Sequence, residues 1–466
     1  MPIAPQHVTF VRAFAILVFA AIIIPLFSHA TLLPLLSPWT SYQAWKVFIF
    51  LFLFRYVRVI VNTTSFLLAR LKPIATHPTI YPRDITVVIT TVRVTSSDFK
   101  ECVRSILASG VASIIVSTVG EERKTLAVSF AHSLSTDRII VVHTDTANRR
   151  RQVTLAMEKV KTAISILCDD HNVWPSNLLS YILSSFENPK VGAVGSLHRA
   201  RHFNHPFSWK GFWNFLGCIY LERRNMDMIA TSNIDGGISC LTGRFGAYRS
   251  KILQDPAFTK AYLNEYCFFG SIGPLGVDDD NLTTRWLINQ GWDIDIRQET
   301  VIEDPSLGAY PAFLGQCLRW NRTTWRSYPR QFFMRGTVWR RYPWCAYSVY
   351  LTSFFNFALF YDASMVYTLW LAFRESRARK IAILSLAVWI ICSKLIKPLP
   401  HLLRHPKDIA YIPGLVIYGY ICSFIKLYAL LTFWDTYWAA AATAEVPPKK
   451  PKITISDHSS DHVTGS

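Results

Sequence analysis

Apolar sequence in this chain gathers at its two ends. Near the start, Phe14 to Phe27 is almost free of polar atoms, and Val47 to Leu68 follows, interrupted by Arg55 and Arg58. Near the other end lie Ala346 to Phe373, Ile381 to Cys392 and Ile409 to Trp434. A membrane span needs roughly 20 apolar residues, so five candidate spans of unequal strength bracket a long middle. The first stretch also has the form of a secretory signal peptide, with Ser28-His29-Ala30 as a small-residue cleavage site. The second apolar stretch that follows at once, and a middle of cytosolic character, favour a span.

The loops set an orientation. Ser28 to Trp45 holds no Lys or Arg, whereas Arg70, Lys72 and Arg83 follow the second span. The positive-inside rule therefore places the middle of the chain in the cytosol. Arg55 and Arg58 would be costly facing lipid. Either they mark the cytosolic end of a shifted span, or they face a polar path through the bundle. The basic loops "RESRARK" and "KLIKPLPHLLRHPK" are separated by one short apolar stretch, which is expected to lie in the interface or re-enter. After Trp434 the chain turns polar and reads as a disordered tail.

Composition excludes disorder for the rest: 51% of the 466 residues are hydrophobic. The excess of 49 Lys+Arg over 31 Asp+Glu gives a net charge of +18, which suits nucleic acid, anionic lipid or a phosphorylated substrate. The basic residues lie beside the spans and at the phosphate site argued below, so no nucleic acid partner is expected. The nine cysteines are scattered without a CxxC or Cys/His cluster, which fits reduced thiols rather than a zinc site or a disulfide framework.

From about Asp84 to Pro311 the pattern changes. "ITVVIT" is a β-branched run and reads as a buried strand. "DFKECVRSILAS" follows with Phe99, Cys102, Ile106 and Leu107 on one helical face. "ASIIVST" and "RIIVVHT" are further strands, "RRQVTLAMEKVKTA" is a helix, and "AISILCDD" is a strand ending in acids. Strands alternating with helices imply a mostly parallel sheet with helices on both faces. Ligands of such sheets sit beyond the carboxyl ends of the strands, which is where Asp169 and Asp170 fall. The absence of GxGxxG and of GxxxxGK[ST] argues against a nicotinamide dehydrogenase and a Walker-type ATPase.

Four clusters carry chemistry. Asp169, Asp170 and His171 suit Mg2+ or Mn2+, hard cations that share their shell with substrate phosphates; an acidic turn capping the next helix is the plainer account. Asp278, Asp279 and Asp280 repel one another, so at least one pKa should rise, which suits a general base; an acidic helix N-terminus gives the same pattern. Arg149, Arg150 and Arg151 offer guanidinium forks for phosphate, or a solvated basic face. On a helix, Gln316, Arg319, Trp320, Thr323 and Arg326 share one face. There Arg can clamp phosphate oxygens while Trp stacks on a pyranose, and the flanking "PAFLG" and "RQFFMRG" would lay the helix on the membrane surface.

Taken together and in order, these motifs resemble membrane-embedded family 2 glycosyltransferases of the hyaluronan-synthase-like and cellulose-synthase-like kind, most of all the type 2 glycosyltransferases of filamentous fungi. QxxRW matches Gln316, Arg319 and Trp320. The acidic pair ahead of a helix matches Asp278 and Asp279. "SCLTGRFGAYR" is similar to the acceptor loop of hyaluronan synthases, "FWNFLGCIYLERRN" and "IDGGISC" look like fungal members, and "IKLYALLTFWDT" resembles the last membrane span of the family.

The resemblance implies an α/β GT-A domain at 76–310, inserted between N-terminal transmembrane helices (1–75) and a C-terminal transmembrane region (343–437). Interface helices carrying QxxRW would lie at 311–342, and a disordered tail at 438–466. It implies a multi-pass protein, in the plasma membrane with its catalytic domain cytosolic. Its partners would be a UDP-sugar donor, a growing polysaccharide acceptor and the lipid bilayer, and its cofactor Mg2+ or Mn2+. Asp279 would be the base, beside Asp278. Asp169 and His171 would hold the metal. Asp169, Asp170, Arg149, Arg150, Gln316, Arg319 and Trp320 would bind the donor, with Trp320 also lining the acceptor entrance alongside Cys240, Gly243 and Arg249. Three departures stand out: His171 replaces the outer acid of DxD, only Glu121 is near the position of the acid that grips uracil, and the terminal Trp-Gly-Thr-Arg appears as "FWDTYWAA". Two rival readings are a non-processive enzyme acting on a lipid acceptor and a membrane scaffold that has lost activity.

Overall fold

The computed structural model describes residues 39–134, 136–203, 207–333 and 336–436. The stretch Phe14 to Phe27 and the polar tail lie outside the described residues. The second apolar stretch forms helix α1 (Ser41–Leu68), whose N-terminus is closed by a reciprocal cap: Gln43 N donates to Thr40 Oγ1, and Thr40 N to Gln43 Oε1.

Strands β1 (Ile85–Thr90), β2 (Ser113–Val119), β3 (Ile139–Thr144) and β4 (Ile164–Asp169) run parallel, with β1 between β2 and β4. Beyond β4 the sheet turns mixed. Strands β5 (Val191–Ala200) and β7 (Asp293–Asp304) pair in parallel, while β6 (Phe245–Arg249) enters antiparallel between β4 and β5, giving the order β3-β2-β1-β4-β6-β5-β7.

Alternation along β1 sends side chains to both faces. Ile85, Val87 and Ile89 pack with Phe99, Cys102 and Ile106 of α2 (Ser97–Ala108) and Ala127 of α3 (Glu121–Ser133), whereas Val88 joins Val153, Ala156 and Met157 of α4 (Arg149–Met157). Leu107 of α2, expected on the buried face, is only partly covered, and Val103 is buried with that face instead. Helix α5 (Leu178–Phe186) covers the first face and α6 (Trp209–Asp235) the second. The mostly parallel sheet with both faces covered is the arrangement the alternation of elements predicts.

After β6 come α7 (Pro256–Leu263) and α8 (Asp279–Asn289), and after β7 the long α9 (Ala312–Phe333) carries the Gln-Arg-Trp face. The stretch Ala346 to Phe373, expected as one span or a tight pair, is broken. Helical turns end at Phe355, and α10 (Ala358–Ala372) starts after Phe357, with Lys426 Nζ donating to the freed carbonyl of Asn356 at 2.9 Å. Helices α11 (Arg379–Leu395) and α12 (Ile412–Leu431) follow. Among the described residues, one helix, Pro406–Leu431, is long and apolar enough to cross a membrane.

Helix α1 packs against α6 and α10. Its two arginines turn inward. Arg55 pairs with Asp362, which also takes Lys394 Nζ at 2.6 Å, and Arg58 donates to Thr352 Oγ1 at 2.7 Å. Both arginines line a small cavity with Phe54, Thr352, Phe355, Asn356 and Tyr361. Both arginines thus face the protein, among partners on the helices of the C-terminal region.

Candidate active site

Asn148 caps α4 by accepting from Arg150 N and Arg151 N at 3.0 and 3.2 Å, which fixes Arg149 as the first helical residue. From there the Arg149 guanidinium reaches three elements. It donates to Asp169 Oδ1 at the end of β4, to Asp279 Oδ2 at 3.1 Å at the start of α8, and to the carbonyl of Gly243 ahead of β6. One cation thus joins the expected metal acid, the expected base and the expected acceptor loop.

At the end of β4, Asp170 turns into the protein. Its carboxylate accepts from Thr91 Oγ1 at 2.6 Å, from Arg93 Nη2 at 3.0 Å and from His171 Nδ1 at 3.0 Å. Burial pushes this carboxyl up, but His171, Arg93 and Thr91 outweigh it and hold the group below the ordinary carboxylate range. Asp170 therefore organises the turn. Asp169 and His171 remain partly exposed beside it. Asp169 Oδ2 has no hydrogen-bond partner among the described residues, and the bond from His171 Nδ1 to a carboxylate leaves Nε2 as the ligand nitrogen. That carboxylate-histidine arrangement orients a metal ligand in many sites, so the donor set fits a divalent cation.

The three acids at α8 have separate surroundings. Asp278 is buried with φ +61°, in the left-handed region, and is bound by α9: Arg326 Nε reaches Oδ2 at 2.6 Å, Arg326 Nη2 reaches Oδ1 at 3.2 Å, and Thr323 Oγ1 reaches Oδ1 at 2.6 Å. Burial raises its pKa and Arg326 more than reverses that, so the carboxyl falls. Asp280 goes the other way, raised by burial and then by Asp279. Asp279, between them, accepts from Arg149 and from Tyr262 Oη at 3.2 Å through Oδ2 alone. Its Oδ1 has no hydrogen-bond partner among the described residues. The arrangement assigns Asp278 to holding the turn and leaves Asp279 the acid with a free oxygen.

Along α9, Thr323 and Arg326 face Asp278, which fixes the direction of Gln316, Arg319 and Trp320 one to three turns earlier. The Trp320 indole stacks on Tyr220 of α6, with ring centroids 4.6 Å apart, and lies 5.5 Å from the Arg244 guanidinium and 6.0 Å from that of Arg319. In the loop before β6, Gly243 is clamped at both backbone atoms, its carbonyl by Arg149 and its N–H by Asp280 Oδ2 at 3.2 Å. Burial, then Asp280, push the nearby Cys240 thiol well up, so it is not a thiolate nucleophile.

Residues 82–323 match the family model described as "Glycosyltransferase like family 2". A type 2 glycosyltransferase of Gibberella zeae is 36% identical over 436 residues, covering 91% of this chain and 82% of that protein. One from Pyricularia oryzae is 36% identical over 409 residues, 87% and 83% of the two chains. The chain belongs to glycosyltransferase family 2. The enzyme is also 26% identical to human hyaluronan synthase 3 over 200 residues, 41% of this chain and 33% of that one. Among solved structures, the mannosyltransferase of Pyrobaculum calidifontis in complex with GDP-Man and Mn2+ superposes with a TM-score of 0.52 at 14% identity, over 80% of this chain and 98% of that one. The glycosyltransferase has a GT-A-like α/β fold.

Besides Asp170 and Asp278, which the turns they hold keep buried, two more residues expected at the substrate sit elsewhere in this glycosyltransferase. Arg150 is 1% exposed, and its guanidinium binds the Tyr262 and Val277 carbonyls and Glu265 Oε2 at 2.6 Å, so it braces the loop leading to Asp278. Arg249 lies at the far end of β6, where it holds the carbonyls of Phe186, Asn188 and Val191. Glu121 is exposed and pairs with Lys124 and His143. Residues the sequence reading passed over include Thr91 and Arg93, which cage Asp170. The only signal for them is their place just beyond β1, where sheet ligands gather. Glu265, which gathers Arg150, Arg285 and Arg330, carried no local signal.

Proposed function

We propose that this glycosyltransferase polymerises a sugar from a UDP-sugar donor with inversion, and passes the polysaccharide out through its own membrane helices. The observation that carries the reading is Arg149, whose guanidinium ties Asp169, Asp279 and the acceptor loop at Gly243 into one site. The chemistry follows from that convergence. Asp279 Oδ1 takes the proton of the acceptor hydroxyl, whose oxygen attacks the anomeric carbon of the donor as the nucleoside diphosphate leaves from the opposite face. Arg149 and Tyr262 keep the other oxygen of the base occupied, so the proton goes to Oδ1. Gln316 and Arg319 supply donors to the departing diphosphate. Asp169 and His171 would hold Mg2+ or Mn2+, which would supply positive charge to balance the diphosphate. Trp320, backed by Tyr220, forms the wall on which the acceptor sugar rests, and the Gly243 loop sets its height.

Membrane embedding is supported by the exposed apolar rows of α1, α11 and α12, which include Phe50, Leu53, Ile60, Leu384, Val388, Ile417 and Phe424. Helix α1 spans 28 residues, about 42 Å at 1.5 Å per residue, against a hydrocarbon core of about 30 Å. The inward-facing Arg55 and Arg58 beside α10 suit a hydrated passage for sugar. A multi-pass protein of the plasma membrane, with its catalytic domain in the cytosol, is the placement these features favour.

The test is a screen of labelled UDP-sugars on the purified protein with size analysis of the product. A long, acid-hydrolysable polymer with release of UDP is the expected result. A lipid-linked monosaccharide as sole product would establish the non-processive reading instead, and neither product nor nucleotide release with any donor would establish the inactive scaffold.

A further inference from the structure

Away from the transfer site, two segments distant in sequence bring three ligand groups to one point. His202 follows β5, His401 lies on the short helix Leu399–Arg404, and Asp408 on the turn Pro406–Tyr411 that leads into α12. His202 Nε2 lies 3.0 Å and His401 Nε2 2.7 Å from the same oxygen, Asp408 Oδ2, and the three ligand atoms all fall within 4.8 Å of one another. His401 and Asp408 are buried, with side chains 3% and 6% exposed, while His202 at 19% keeps an edge to solvent. Packing fixes the rings: His405 stacks on His202 with centroids 3.9 Å apart, and Phe215 lies against His401 at 5.6 Å.

We propose that His202, His401 and Asp408 form a structural zinc-class cation site, separate from the donor-site metal, that clips the exit of β5 to the segment entering α12. The geometry favours this over a plain hydrogen-bond trio. Four-coordinate zinc has bonds of about 2.0–2.1 Å, which puts neighbouring ligand atoms roughly 3.3 Å apart. To reach that spacing the two contacts to Asp408 Oδ2, at 3.0 and 2.7 Å, open by roughly 0.3 and 0.6 Å. Zinc takes the place of the two protons that now bridge imidazole and carboxylate; each imidazole keeps one proton by carrying it on Nδ1 instead of Nε2, so two neutral imidazoles and one carboxylate carry the ion. The exposed edge of His202 leaves a fourth position for water. This donor set favours zinc over Mg2+, which prefers six oxygens.

Co2+ titration of the purified full-length protein reads the site directly, because tetrahedral cobalt absorbs strongly in the visible. One equivalent is expected to give that band, to be displaced by Zn2+, to resist excess Mg2+, and to raise the unfolding temperature. Asp169→Asn, which alters the donor site, should keep the band. His202→Gln, at the partly exposed ligand, and Asp408→Asn should each weaken Co2+ binding by more than ~100-fold, since even outer partners of a metal ligand cost 10–100-fold. The proposal is overturned if no tetrahedral band forms, or if the band survives in His202→Gln while that variant unfolds like the parent.

Discussion

Arg326 grips Asp278 with the Nε and Nη2 of one guanidinium edge, at 2.6 and 3.2 Å, and so bolts the Gln-Arg-Trp helix to the acidic turn that carries Asp279. Both partners are almost fully buried, with side chains 1% and 2% exposed. Removing one charge from such a pair leaves the other stranded, at a cost of about 3–5 kcal/mol. Arg326→Met should therefore lower the unfolding temperature sharply. Pairing it with Asp278→Asn should cost less than the two losses added together. A double-mutant cycle by thermal unfolding in detergent checks this, and strict additivity would contradict the pairing.

Asp279→Asn tests the proposed role of Asp279 as the base. It should fold like the parent and bind the nucleotide sugar, while transfer falls by about 10²–10⁴-fold, the usual contribution of a general base. Nucleotide release and donor binding, measured side by side, give the answer. Equal losses in both would place Asp279 in binding rather than in proton transfer.

Asp304 gives a pH signature. It is fully buried and accepts from His198 Nδ1 at 3.1 Å and Arg244 Nη1 at 3.4 Å. Burial raises its carboxyl, but His198 and Arg244 outweigh burial and bring the folded value below the ordinary 3.8. A depressed folded pKa contributes stability above the unfolded value, and that contribution disappears as pH falls through the folded one. The parent should thus be more stable than Asp304→Asn near neutrality, and the gap should narrow below about pH 4. Unfolding curves of the two proteins from pH 7 to pH 3 test the trend, and a gap that widens in acid would refute it.

Trp320→Ala removes the ring that stacks on Tyr220. If Trp320 forms the proposed acceptor wall, that wall should weaken while the proposed donor site keeps its ligands. Polymer length should fall several-fold with UDP release changed much less, since one aromatic stacking contact contributes ~0.5–1.5 kcal/mol. Product sizing against nucleotide release resolves the two.

The parts of this molecule written in local pattern were legible. The β-branched run at Ile85 to Thr90, the acids at the end of β4, and the shared helical face of Gln316, Arg319, Trp320, Thr323 and Arg326 follow from spacing alone. That at least one of the three neighbouring acids should be raised was also legible, although the raised one is Asp280, lifted first by burial and then by Asp279. What escaped depends on contacts between distant segments. Arg149 and Arg150 are adjacent in sequence, yet only α4's direction decides that one enters the site and the other lies beneath it. Arg249 reads like a loop residue, but the antiparallel entry of β6 carries it to the opposite end of the sheet. The break at Asn356 is apolar on both sides and has no proline, so hydropathy could not mark it.

Arg326 does more than hold Asp278. The same side chain donates to the carbonyls of Phe433 at 2.8 Å and Asp435 at 3.0 Å, and Arg322 pairs with Asp435 at 2.6 Å. During synthesis, those carbonyls leave the ribosome long after the acidic turn. A nascent chain that has already built its sheet still lacks the last partners of Arg322 and Arg326, so the helix that bears Gln316, Arg319 and Trp320 is fully braced only after the final described helix has emerged.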